Sequence, residues 1–86
     1  MRIIRRHVDD ELLLGGELVL LAAGTVLVLS EVASTALGRL STEVWTSLDE
    51  LTTFLETSVG LPADGPTAVF SLVNALVDAG LLSVEA

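Results

Sequence analysis

ELVLLAAGTVLVL, residues 17–29, decides how this chain folds. Two short apolar runs, Leu18 to Leu21 and Thr25 to Leu29, flank Ala22-Ala23-Gly24, which is the format of a β-hairpin with a three-residue loop. Upstream, His7 to Leu14 ends in Gly15-Gly16, a second turn signal. Together these predict a three-stranded antiparallel meander whose first strand begins between Ile3 and Glu11. The stretch Leu12 to Leu29 is long enough for a minimal membrane span, but Glu17, Gly15, Gly16 and Gly24 divide it into strand-length pieces.

Helical spacing takes over after residue 30. Ser30-Glu31 reads as an N-cap followed by an acid at the positive end of a helix dipole, and Val32, Ala36, Leu37 and Leu40 give a first helix over about 31–40. Ser41 to Trp45 breaks that pattern as a short extended connection. Ser47-Leu48-Asp49-Glu50 is a capping box, and Leu48, Leu51, Phe54 and Leu55 form the inner face of the second helix, which Gly60 closes. Gly65-Pro66 opens a third helix that runs to Ala79, with Pro where its missing N–H costs nothing. Gly80 then takes the left-handed position of a Schellman motif in which Leu81 folds back on Leu76, and Leu81 to Val84 adds a short extended segment. The expected fold is α+β over residues 1–86 as a single domain: a winged helix-turn-helix-like arrangement, a three-stranded antiparallel sheet followed by three helices.

Composition narrows the function. The 86 residues contain no Cys and one His, which removes disulfides, thiolate metal sites and most nucleophile–base pairs. A core must come from apolar burial alone, for which 51% hydrophobic residues supply the material. Charge is lopsided. From His7 onward one arginine, Arg39, stands against twelve carboxylates, a balance of −11. Such a surface repels phosphates, so nucleic acid is not an expected partner, whereas a basic or neutral polypeptide is. No signal peptide or membrane helix is read, so the expected location is the cytoplasm.

Two features exceed what a small core needs. On the third helix Val69, Leu72, Val73 and Leu76 form the inward stripe, while Phe70 and Val77 widen the apolar arc to about 160°. Phe70, Asn74 and Val77 lie at the boundary between core and solvent. The run Thr25, Val26, Leu27, Val28, Leu29 forms a terminal strand with no Lys, Pro or bulge to blunt its edge. An unguarded edge beside an apolar helix suits β-augmentation by an extended peptide. The competing covers are a second copy of the chain, forming a homodimer, and the chain's own C-terminus.

The order of these segments resembles a known family. Arg5-Arg6-His7-Val8, ELVLLAAGTVLVLSEVASTAL, SLDEL and LVNALVDAGLL are similar to PqqD-like proteins over nearly the whole chain. These are the RiPP recognition elements, small winged-helix-like chaperones of ribosomally made peptides. The resemblance implies that a precursor leader peptide pairs with Thr25 to Leu29 and lies against Phe70, Asn74 and Val77. It also implies delivery to a modifying enzyme: a radical enzyme, a cyclase or a protease. Members often carry Cys-Asp-Gly or Asp-Gly after the first helix, where this chain reads Leu40-Ser41-Thr42-Glu43. That departure, with the acidic Asp9-Asp10-Glu11, directs the expectation away from pyrroloquinoline quinone synthesis and toward another peptide pathway.

Other readings attach to single residues. His7 with Asp9, Asp10 and Glu11 reads as a solvated strand start and not as a metal site; no cofactor is expected. Asp49 and Glu50 have the chemistry for acid–base work, but capping and the helix dipole account for them. Trp45 reads as a core residue or as an aromatic interface anchor. Ser47 ahead of a helix resembles the phosphopantetheine site of an acyl or peptidyl carrier protein, although Thr46 stands where Asp or Gly is usual and residues 7–29 read as strands. A winged-helix DNA binder is the third alternative. The expectation is a binding module and not an enzyme.

Overall fold

The computed structural model describes residues 1–61 and 63–86. Among these described residues six strands and three helices follow the order β1 (Arg2–Arg5), β2 (Asp10–Leu14), β3 (Glu17–Ala22), β4 (Thr25–Val28), α1 (Glu31–Arg39), β5 (Thr46–Ser47), α2 (Leu48–Ser58), α3 (Gly65–Asp78) and β6 (Leu82–Glu85). The fold is α+β with two three-stranded antiparallel sheets, ordered β2-β3-β4 and β5-β1-β6.

The first sheet is the meander expected from residues 10–28. Its loops are tighter than the three-residue reading of Ala22-Ala23-Gly24. Ala22 pairs with Thr25, leaving Ala23 and Gly24 as a two-residue turn, and Leu14 pairs with Glu17 around Gly15-Gly16. All four turn residues have positive φ, from 52° to 83°. That is the geometry whose twist matches a right-handed hairpin. Glycine adopts it freely; Ala23 holds it against the clash of its own Cβ.

The second sheet corrects the expected order, because strands also follow the first helix and close the chain. β1 separates from the meander, and β6 pairs along its whole length, Arg2 to Glu85 through Arg5 to Leu82. Burial is the cause. Ile3 and Leu81 are fully buried and Leu82 nearly so, each stabilising the fold by about 1.5–3 kcal/mol. Joining them across the length of the chain lets the two ends complete one core. The C-terminal segment is therefore spent on β1 and does not cover β4.

The helices form where their local signals stand. Ser30 caps α1, its Oγ accepting from the Ala33 N–H at 3.2 Å. Ser47 caps α2, accepting from the Glu50 N–H at 3.1 Å while its hydroxyl donates to the Glu50 carboxylate at 3.3 Å. Gly80, at φ 81°, ends α3: its N–H donates to the Val77 carbonyl and that of Leu81 to the Leu76 carbonyl, the two bonds of a Schellman motif. Ala33, Ala36, Leu37, Leu51, Leu55, Val69, Val73 and Leu76 meet Ile3, Leu18 and Leu20 in one core. Val32, expected inward, is exposed, because the buried stripe of α1 runs through Ala33, Ser34 and Leu37. Trp45 is half-buried at the margin, beneath the Arg2 guanidinium 5.3 Å from its ring centroid, and is not part of the core.

Candidate polypeptide-binding surface

One buried hydroxyl positions the meander. Ser34 on α1 accepts from the Leu18 N–H at 2.8 Å and donates to the Leu29 carbonyl at 3.4 Å. The Leu29 N–H meanwhile donates to the Leu18 carbonyl at 2.9 Å. The hydroxyl thus stands in one half of the last rung between β3 and β4 and fastens both to α1. Nothing in the sequence periodicity marks Ser34, since a lone small polar residue on a helix has no pattern to betray its partner.

This rung also sets which backbone groups of β4 are engaged. In an antiparallel ladder, hydrogen-bonded pairs recur every second residue. With Leu29 facing Leu18, Leu27 faces Leu20 and Thr25 faces Ala22. The N–H and C=O groups of Val26 and Val28 therefore point away from β3. Among the described residues no strand occupies that side, and β4 ends the sheet. The opposite edge, β2, begins with Asp10 and Glu11, charges of the kind that discourage pairing. β4 carries none.

The side chains of β4 divide by parity. Leu27 packs against the core, as does Leu29 just beyond the strand. Val26 and Val28 are 65% and 64% exposed. On α3, Phe70 is 43% exposed, Asn74 is exposed, and Val77 is half-buried against the core. These three share a stripe at i, i+4 and i+7, beside the buried stripe Val69, Val73 and Leu76. The two candidate walls have their main contacts with other elements, β4 with β3 and α3 with α2 and β6. They belong to one body through the shared core.

The residues of the other readings are placed elsewhere. Ser47 is engaged as the cap of α2, and α3 carries no basic side chain. His7 is exposed and, with Arg5, Arg6, Glu11, Ser41 and Thr42, lines a polar cleft of about 380 Å³. Within it Arg5 bonds Glu11 at 2.6 Å. Among the described residues no three His, Cys, Asp or Glu side chains converge as a metal site would need. No helix among them is long and apolar enough to cross a membrane. Comparison with protein-family models, with curated proteins and with solved structures found no match.

Proposed function

We propose that this chain is a PqqD-like RiPP recognition element. It binds the leader of a ribosomally synthesised precursor as an added strand on β4, with Phe70, Asn74 and Val77 of α3 as the second wall. The loaded leader is presented to a modifying enzyme, whether a radical enzyme, a cyclase or a protease. The winged-helix likeness belongs to this reading, with the meander as a wing ahead of three helices. The chain acts by binding, takes no cofactor, and has no use for nucleic acid or membrane.

The observation that carries the proposal is the open edge of β4. Val26 and Val28 turn their backbone groups outward on a strand with no charge, proline or bulge. An extended peptide satisfies those groups by ladder bonds, and its alternate side chains supply selectivity. Ordering a disordered leader costs about 2–5 kcal/mol, so affinity falls in the micromolar to nanomolar range.

The test is titration with the leader of a short precursor encoded beside this chain. Val26→Pro or Val28→Pro removes an outward donor without deleting a β3–β4 bond, so leader binding weakens at least tenfold while the fold persists. Leu27→Pro, by contrast, breaks the internal ladder and destabilises the sheet. Phe70→Asp weakens the leader by a similar factor through the second wall. Unchanged titration of folded Val28→Pro and Phe70→Asp variants would overturn the assignment.

A further inference from the structure

The meander has a second binding feature, independent of its edge. The register places Leu12, Val19 and Val28 in one row across the sheet and Leu21 and Val26 in the next, with Leu14 beside Glu17. All lie on the side opposite α1, because Leu18 and Leu20, of the other parity, are buried toward it and the Leu18 N–H bonds Ser34. The outward side of an antiparallel sheet is ordinarily polar. Here it is aliphatic, with Leu12 and Leu14 each 56% exposed, Leu21 38%, and Val26 and Val28 near 65%. Contiguous apolar surface of this kind marks an interaction site.

Charge selects the occupant. Asp10 stands opposite Leu21 and Glu17 opposite Leu14, so carboxylates flank the face at both ends of β2 and β3. The arginines lie elsewhere: Arg2 pairs with Glu85, Arg5 with Glu11, Arg6 lines the polar cleft, and Arg39 stacks on Phe54. A second copy stacked face to face would set these carboxylates against their equals, with a net charge of −8 on each chain. We infer that the outer face of the meander docks an amphipathic, basic helix of a partner protein, with an aliphatic stripe against the sheet and Lys or Arg toward Asp10 and Glu17. Three strands of four to six residues span about 14 by 17 Å, the footprint of roughly three helical turns. This docking does not depend on strand addition at β4, and a partner held here leaves the β4 edge open.

The probe is a fluorescein-labelled helical peptide of about fourteen residues, leucine at i, i+3, i+4 and i+7 and lysine elsewhere, compared with the same peptide carrying glutamate for lysine. The lysine peptide binds, and the glutamate peptide binds at least tenfold more weakly. Leu12→Lys weakens the lysine peptide at least tenfold yet leaves leader titration at β4 unchanged. Glu56→Gln removes one negative charge on α2 and leaves lysine-peptide binding unchanged. The inference is overturned if neither peptide binds or if both bind equally. It is also overturned if Glu56→Gln weakens binding as much as Leu12→Lys, which would mean attraction to net charge alone. A dimer in sedimentation that Leu12→Lys dissociates would overturn it too, assigning the face to a second copy. Loss of leader binding by Phe70→Asp, at a residue on α3 and not on this face, bears on the leader site alone, so the two readings fail separately.

Discussion

The two sheets have the same number of strands and opposite outer surfaces. In the β5-β1-β6 sheet, parity puts Ile3, Arg5, Thr46, Leu82 and Val84 on one side, and Ile3, Thr46 and Leu82 of these are buried. Outward stand Arg2, Ile4, Ser47, Ser83 and Glu85, with Arg2 and Glu85 joined as an ion pair across β1 and β6. The meander buries Leu18 and Leu20 in the same way, yet turns Leu12, Val19, Leu21, Val26 and Val28 outward. One sheet follows the rule of polar-out alternation and closes the chain's ends; the other breaks it. A sheet that departs from the rule while its neighbour obeys it points to a surface meant for contact, since the core is already supplied from the inner faces.

The largest expected effect comes from the closed sheet. Ile3 is fully buried in the core, so Ile3→Ala should cost about 2–5 kcal/mol in chemical denaturation. A loss well under 1 kcal/mol would show that the chain's ends are not part of the cooperative core.

Ser34→Ala sharpens the comparison at the joint between α1 and the meander. It strands the buried Leu18 N–H and takes a partner from the part-buried Leu29 carbonyl, and should cost about 1–3 kcal/mol. Hydrogen exchange should quicken at β3 and β4 and change little in β1 and β6. Equal quickening in both sheets would mean that the meander does not loosen as a separate unit.

The smallest effect lies on the outer face. Val28→Thr keeps the β-branched shape at a position 64% exposed, so stability should shift by no more than about 0.5 kcal/mol. A loss above 1 kcal/mol would mean that Val28 serves the fold, and that the aliphatic face belongs to the protein's own packing.

Local signals were legible because the forces behind them act within a few residues. Ser30, Ser47 and Gly80 each sit within hydrogen-bonding reach of the helix end they cap, and the glycines mark the two turns. The unguarded strand was legible from what Thr25 to Val28 lack. The outer face was not. Residues 12–14, 18–21 and 26–29 are aliphatic at both parities, so period-two reading assigns neither side to the core. Leu13 shows the limit: it lies on the α1 side by parity, yet is 63% exposed.

The amino-acid sequence by itself determined the hairpins, the caps, the acidic balance and the shortage of catalytic residue types. Tertiary structure alone decided three things: that β1 leaves the meander for β6, that Ser34 enters the last rung of β3 and β4, and which aliphatic face meets water. Each depends on contacts between residues far apart in the chain. Their free energy arises when distant apolar surfaces are buried together, and no local spacing records which surfaces those are.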